Sequence, residues 1–421
     1  MKTNKKGISL IVLAITIIVM IILAAAILLS VSGKNIINTA KEATNANDLA
    51  NAKHVVAVAK GEWELGEAEG YTLKEYAESK LQEAGFAITG NGGIYVSSKG
   101  AVTTIYEDKD GYKTVIPTGF VASEATGENT IEYGLVIYEG TEPVTDKNVA
   151  TARETRNQFV WVPVPDINFF KRTTTYDGET ITPPESQYTE PYSYDNLITV
   201  VNDLTGEWAE YTAMYESVNE YGGFYIGRYE TGTNVAPKNS GGNGTRETFI
   251  QKNKYAYEYV GWGLNKTSVV GDVFNPPGSS DNHGKGAVEL SRAFCSTDEV
   301  QSTLCYGVQW DAALNFISTS GIKDKIYATN SKGKYWNYDN KDGNPKFLTG
   351  IDLGESAANR LNNIYDMAGN VEEWTMEASG NNGRVLRGGN RSYTISASDS
   401  KSDNVYDASH TRGFRIALYL K

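Results

Sequence analysis

The first part of the chain carries one long apolar run followed by a helical pattern. No charged residue occurs from Gly7 to Gly33. Residues 8–31 supply about 24 mostly apolar positions, enough for a helix to cross a ~30 Å hydrocarbon core. Apolar residues then recur at helical spacing to about Glu64. Three lysines precede the run and the acidic bulk follows it, which favours a body outside the cytoplasm. The pattern therefore predicts a transmembrane and stem helix over residues 8–64.

Residues 65–156 show a shorter helical pattern and then alternating positions. An amphipathic helix is expected over 71–84, ended by Gly85. Short alternating runs at 94–96, 102–106 and 112–116 are separated by turn residues and predict a small β-meander packed on that helix. Residues 118–157 are interpreted as a connector. The sequence thus predicts a small helix-plus-meander stem domain over 65–156.

The remaining chain, residues 157–421, has many short apolar runs between long polar loops. Residues 157–165 read as an edge strand that ends near Pro163, residues 221–232 as a second strand, and residues 307–316 as a helix with apolar positions facing inward. The composition agrees, with 42 Gly and 27 Tyr against 11 Pro, which is typical of short strands and loops. The expected fold class is α+β.

One stretch, residues 363–374, joins an apolar start to the tight sequence Ala368-Gly369-Asn370. Gly369 can adopt the positive φ that such a turn requires. Asp366 and Glu373 supply oxygen atoms beside it, and carboxylates next to open backbone carbonyls suit a hard cation such as Ca²⁺. A hydrated surface turn is the alternative interpretation.

Three motifs in the same order resemble the formylglycine-generating-enzyme (sulfatase-modifying-factor) family. They are residues 365–374, then Arg387-Gly388-Gly389, then Gly413-Phe414-Arg415. The strand at 221–232, with its Ile-Gly-Arg-Tyr-Glu sequence, and the helix start at 307–316 also match. The resemblance covers about 157–421 and implies a C-type-lectin-like fold. It also implies structural Ca²⁺ bound by side-chain oxygens of Asp366 and Glu373 and by the carbonyls of Gly369 and Val371.

The N-terminus resembles a type IV prepilin leader. A short basic stretch ends at Gly7, and the apolar run starts at Ile8, which implies cleavage by a prepilin peptidase between these residues. Other pilin subunits are then expected partners. Pilins usually have Glu at the fifth mature position, whereas this chain has Val12, so filament assembly is in question. An uncleaved membrane anchor is the alternative.

Two cysteines, Cys295 and Cys305, lie in one loop outside the membrane, where a disulfide between them is expected. Two buried thiols are the alternative. Enzymes of the resembled family bind copper through cysteines between the last two motifs, and residues 390–412 contain none. The histidines do not match the triad of the iron-dependent branch either. These departures argue against catalytic activity.

Residues 390–412 are rich in Ser, Asp, Asn and Tyr, a composition also found in antibody loops. The segment resembles the variable region of lectin-fold proteins that diversity-generating retroelements diversify, and there it would form a ligand-binding face. An ordinary polar loop with a strand is the alternative. The candidate ligand-binding residues are Trp374, Tyr393, Asp399, Tyr406 and Asp407.

The sequence thus predicts a bacterial surface protein in the cell membrane or in a pilus, with an adhesive, non-catalytic lectin-like domain. Its expected ligand is an extracellular protein or glycan. The net charge of −12 argues against nucleic-acid binding. An enzyme with an unrecognised site and a purely structural minor pilin are the alternatives.

Overall fold

The computed structural model describes residues 35–171, 175–176, 179–180, 204–234, 246–263, 286–297, 299–318, 360–379, 383–390, 400–404 and 409–421. The predicted membrane run 8–31 and the leader residues Gly7 and Ile8 lie outside these residues. Within the described part of the chain, no helix is long and apolar enough to cross a membrane.

The described chain contains both helices and strands, with several strands in succession, which confirms the α+β class. The helices are α1 (Asn35–Glu64), α2 (Leu73–Glu83), α3 (Val149–Thr155), α4 (Leu204–Tyr221), α5 (Ala287–Phe294) and α6 (Gly307–Ser318), with a 3₁₀ turn at Ile167–Phe169. The strands of the first half are β1 (Ile94–Val96), β2 (Val102–Glu107), β3 (Lys113–Ile116), β4 (Phe120–Ala122), β5 (Val136–Glu139), β6 (Gln158–Pro163), β7 (Thr175–Tyr176), β8 (Glu179–Thr180) and β9 (Gly223–Gly227). Those of the second half are β10 (Gly232–Thr233), β11 (Tyr255–Ala256), β12 (Val300–Leu304), β13 (Arg360–Leu361), β14 (Ile364–Tyr365), β15 (Glu372–Ser379), β16 (Gly383–Arg387), β17 (Ser400–Asn404), β18 (Arg412–Phe414) and β19 (Ile416–Leu420).

Residues 35–116, which we call the stem unit, contain α1, α2 and the sheet β1-β2-β3. Helix α2 begins after Thr72 because its hydroxyl accepts a hydrogen bond from the Glu75 amide, while the Glu75 carboxylate accepts one from the Thr72 amide. It ends before Gly85, whose φ is 89°. Small apolar residues of α1, including Ala52, pack with α2 and the sheet in a separate core. The predicted helix and meander are confirmed.

The remaining described chain, from residue 120 onward, is the body. Its main sheet has six antiparallel strands in the order β12-β19-β9-β6-β5-β4. A four-stranded sheet, β17-β16-β15-β18, carries the second half of the motif region, and β15 and β18 are parallel there. Aromatic residues fill the space between elements, for example Trp161 against Tyr225 with ring centroids 4.9 Å apart. The apolar core is continuous across both sheets.

Two sequence predictions about residues 118–165 are wrong. Strands β4 and β5 lie in the same sheet as β6, so the predicted domain boundary at 156/157 falls inside this sheet. Strand β6 is also not an edge strand, because it pairs with β5 and β9. Pro163 is tolerated since it is the last residue of β6 and lies beyond the residues paired with β5.

Candidate functional site

The turn after β14 has the backbone conformation that the sequence predicts. Gly369 has φ 91°, and Asp366 and Asn370 also have positive φ, 56° and 52°. The Gly369 amide donates a hydrogen bond to the Gly388 carbonyl at 2.8 Å, which ties the turn to the Arg-Gly-Gly motif. Val371 and Trp374 are buried, as expected. Asp366 and Glu373 are buried as well, so the alternative of a hydrated surface turn is wrong.

Arg415, the last residue of the Gly-Phe-Arg motif, fills the space behind this turn. It connects β18 to β19, so its side chain enters where the two large sheets meet. Its guanidinium donates two hydrogen bonds to the Glu373 carboxylate, at 2.9 and 2.6 Å. It also donates to the carbonyls of Gly227 at 2.9 Å and Tyr365 at 3.0 Å. Such a bidentate, carbonyl-supported pair is a strong form of charged hydrogen bonding.

A third carboxylate, Glu230, lies on the other side of the turn. It accepts hydrogen bonds from the Asn370 side-chain amide and from the Val371 amide, the latter at 3.3 Å. Burial, together with the nearby Glu373 and Asp366, raises the pKa of Glu230 well above its ordinary value. Burial also raises the pKa of Glu373 to about 7, although Arg415 opposes that shift. Arg415 thus pairs with the Glu373 carboxylate, whereas Glu230 accepts hydrogen bonds from Asn370 and Val371. Glu230 is therefore the group best placed to hold a proton.

The arrangement does not fit the predicted calcium site. Both carboxylate oxygens of Glu373 accept hydrogen bonds from Arg415, so a cation bound through Glu373 would have to displace that guanidinium. Among the described residues, no group of three or more acidic, histidine or cysteine side chains has an arrangement suited to a metal ion. Calcium bound by Asp366, Gly369, Val371 and Glu373 therefore stays a prediction that this geometry does not favour.

The Ile-Gly-Arg-Tyr-Glu motif places a second guanidinium inside the body. Arg228 is fully buried, and its Nη1 lies 2.7 Å from a carboxylate oxygen of Glu128. Arg153 contacts the same carboxylate at 2.9 Å, and the Tyr138 hydroxyl donates to it at 2.8 Å. Burial alone would raise the pKa of Glu128, but Arg228 and Arg153 outweigh it and lower that pKa. The cluster joins the residues before β5 to β9.

The Arg-Gly-Gly motif supplies a third buried guanidinium. Arg387 donates to the Glu377 carboxylate at 2.7 and 3.1 Å and to Asp311 at 3.2 Å. Asp311 belongs to α6 and Glu377 to β15, so this cluster ties the helix to the four-stranded sheet. Gly388, with φ 83°, approaches the Trp310 ring closely, and a side chain there would meet both strain and that ring.

The three motif arginines therefore share one role, which the sequence motifs alone did not predict. Each lies inside the body and pairs with a buried carboxylate, so its loss would remove a guanidinium that compensates a buried charge. The sequence does contain an indication of this role. Each motif places an Arg within or beside a short apolar strand, where a buried charge must be paired.

Of the predicted ligand-binding residues, Trp374 is a core residue. It is fully buried, and its indole N–H donates to the Val260 carbonyl at 2.9 Å. Its assignment as a ligand contact is wrong, since a large aromatic ring that satisfies its one donor internally packs well in a core. Tyr393, Asp399, Tyr406 and Asp407 lie outside the described residues.

The predicted disulfide is not formed, and both cysteines are thiols. Cys295 pairs through its backbone with Ser302, because the Cys295 carbonyl accepts from the Ser302 amide at 2.7 Å. Cys305 lies three residues beyond Ser302 along the extended chain, which places it roughly 10 Å from the position opposite Cys295 at the rise of a strand. That separation exceeds the reach of a disulfide. Of the two thiols in the alternative interpretation, Cys305 is buried and Cys295 is half-buried.

Two surface grooves lie apart from the arginine clusters. One, of about 400 Å³, is largely apolar, with Phe170 and Phe316 in its wall and the exposed Phe169 at its rim. The other, of about 480 Å³, is more polar than the first and lies between the stem unit and the body beside Glu220. Neither groove is lined by Glu230, Glu373 or the motif arginines.

Comparisons with known proteins yield only weak likenesses. No protein-family model matches the chain, and no curated protein matches it. A structure titled "Crystal Structure of CarF" is 14% identical with a TM-score of 0.26, and the match covers 48% of this chain and 88% of that chain. Treponema denticola variable protein 1 is 12% identical with a TM-score of 0.24, over 75% of this chain and 98% of that chain. At these TM-scores neither likeness carries an argument about fold or function.

Proposed function

We propose that this chain is a non-catalytic binding protein of the bacterial surface, whose body presents residues 390–412 to an extracellular protein or glycan. One observation carries the proposal. The motif arginines Arg228, Arg387 and Arg415 are each fully buried and paired, so the motifs serve to hold the body together. Binding by a polar segment held on that framework then remains as the function that the chain supports best.

The arrangement of the acidic residues favours this proposal over an enzyme. Strongly shifted carboxylates in a cleft would indicate general acid–base chemistry. The carboxylates with the largest upward shifts, Glu230 and Glu373, are instead fully buried beneath the turn, away from both grooves. Their shifted pKa values are explained by burial and by mutual repulsion within a structural cluster.

Two strands, β17 within the proposed ligand segment and β18 at its end, support its presentation. Strand β17 is at the edge of the four-stranded sheet, and β18 is at the opposite edge, paired with β15. Arg412 at the start of β18 forms an ion pair with Asp403 of β17, and Lys401 lies 3.9 Å from Glu372 and 3.4 Å from Asp403. The segment between β16 and β18 is therefore anchored at β17 by fixed charges, as a binding face on a rigid framework requires.

Placement at the membrane or in a pilus belongs to the same proposal and rests on the sequence of the leader and the apolar run. A prepilin peptidase that cuts between Gly7 and Ile8 would deliver the chain to the pilus pathway, and an uncleaved run would anchor it in the membrane.

The test is a binding comparison with the full-length chain. Arrays of bacterial and host glycans and of extracellular-matrix proteins serve as probes for the wild type. The segment variant carries Tyr393→Ala, Asp399→Asn, Tyr406→Ala and Asp407→Asn. The matched control replaces two exposed tyrosines elsewhere, Tyr112→Ala and Tyr133→Ala.

The proposal predicts that the segment variant loses binding while the control keeps it. Equal binding by wild type and segment variant would refute the ligand face. Wild-type chain that binds none of the probes yet enters sheared filaments would favour the structural minor pilin.

A further inference from the structure

The stem unit and the body are joined by a single covalent crossing at residues 117–119. Gly119 in this crossing has φ 90°, a conformation that suits glycine and that commonly marks a bend. We propose that two carboxylates of the body, Glu220 and Glu299, hold the stem unit at this bend so that stem and body move as one rigid unit. We call the contacts of these two carboxylates the stem–body junction.

Glu220, near the end of α4, gathers groups from two elements of the stem unit. Its carboxylate accepts hydrogen bonds from the Tyr95 hydroxyl at 2.8 Å and from the Ser98 amide at 3.2 Å. Lys74 of α2 lies 3.6 Å from the same oxygen and 4.3 Å from the centre of the Tyr95 ring. One carboxylate of the body therefore fixes both α2 and the hairpin between β1 and β2.

Glu299, just before β12, holds the other side of the stem unit. Its carboxylate pairs with Lys53 of α1 and accepts a hydrogen bond from the Thr118 amide at 3.2 Å. Thr118 is the middle residue of the crossing, so this bond pins the bend itself. The Glu299 backbone carbonyl in turn accepts a hydrogen bond from the Lys421 amide at 2.8 Å, which fixes Glu299 to the end of strand β19 of the main sheet.

Buried contacts lie between these two points. The Tyr225 hydroxyl, fully buried, donates to the Val115 carbonyl of β3 at 2.8 Å. The rings of Tyr95 and Tyr221 pack in a tilted arrangement, with their centroids 5.4 Å apart and their planes at 45°. With polar contacts at both sides and packed rings between, rotation about residues 117–119 must break several contacts together. The direction of α1 relative to the body sheet is therefore fixed.

The two backbone amides held by these carboxylates report the junction directly, through hydrogen exchange in the full-length chain. The variants are Glu220→Ala and Glu299→Ala. The matched control is Glu216→Ala, which removes an exposed ion pair across the same boundary, with Lys99 of the stem unit, but no hydrogen bond to a backbone amide of the described residues. Amides of β6 serve as the internal reference for the body core.

A rigid junction predicts coupling between the two points. Loss of Glu220 should speed exchange at Thr118 about tenfold, and loss of Glu299 should do the same at Ser98, because each carboxylate contributes about one charged hydrogen bond's net stabilisation to joint opening. The β6 amides and the Glu216→Ala variant should keep wild-type rates.

Independent behaviour would overturn the proposal: each alanine variant would then speed only the amide that its own carboxylate holds, or neither amide. A Glu216→Ala variant that speeds both amides equally would overturn it as well. If the alanine variants also speed exchange in β6, they have destabilised the body core itself. The same comparison is then made with Glu220→Gln and Glu299→Gln, which retain an acceptor oxygen. The readout does not depend on ligand binding, so its failure is distinct from failure of the proposed function.

Discussion

The Arg415–Glu373 pair offers the sharpest test of how the body is held together. Replacing Arg415 with Met removes two hydrogen bonds to Glu373 and three to backbone carbonyls, and leaves a fully buried carboxylate without its guanidinium. Breaking one side of a buried pair costs about 3–5 kcal/mol. The stability of a domain is only about 5–15 kcal/mol, so Arg415→Met should lower the free energy of unfolding by a large fraction.

The assay is urea unfolding of the full-length chain, followed through the fluorescence of its buried tryptophans. The double variant Arg415→Met, Glu373→Gln should recover part of the loss, because it removes the charge that the single variant leaves uncompensated. The control, Lys113→Met, removes an exposed pair with Glu107 at 3.4 Å and should change the unfolding free energy by less than about 1 kcal/mol. An Arg415→Met variant as stable as this control, or a double variant no better than the single one, would refute the structural role of Arg415.

Four further outcomes follow from the same geometry. Because the folded state raises the pKa of Glu230 and Glu373, it binds more protons than the unfolded state, and the free energy of unfolding should fall as pH rises from about 4.5 to the raised pKa values. In the Glu230→Gln variant, the free energy of unfolding should depend less on pH across this range. An unchanged pH slope would contradict the protonation of Glu230. Millimolar Ca²⁺ or EGTA should leave the melting temperature unchanged, since Arg415 occupies the Glu373 carboxylate; a rise with Ca²⁺ alone would restore the predicted metal site. Under non-reducing, denaturing conditions alkylation should add two labels, at Cys295 and Cys305, and a mass without labels would indicate a disulfide. The intact mass of native protein should correspond to a chain that begins at methylated Ile8, whereas an intact Met1 would place the protein among uncleaved membrane anchors.

Local chemistry explains which predictions from the sequence are confirmed. The spacing of apolar residues in α2 and the end of this helix at Gly85 depend only on neighbouring residues. The same holds for the positive φ of Gly369. Contacts between residues that are distant in the sequence could not be predicted in this way. Nothing in the neighbourhood of Arg228 points to Glu128, and Trp374 looks like a ligand contact until its indole N–H is seen to reach Val260.

The predictions of the disulfide and of the domain boundary are wrong for a related reason. Cys295 and Cys305 are near in sequence, but the pairing of Cys295 with Ser302 along an extended chain separates them. The residues before β6 lack any motif, yet β4 and β5 extend the main sheet because their apolar faces join the same core. Strand register and sheet order are properties of the whole fold, which short patterns do not record.

The claim that the body is displayed outside the cell is tested most directly by proteolysis of intact cells. Cells that express the full-length chain are treated with trypsin, and the released peptides are identified by mass spectrometry, with a cytoplasmic protein as the lysis control. The account predicts that peptides from the body are released from intact cells without the cytoplasmic control. Body peptides that appear only after lysis would contradict surface display and with it the proposed binding function.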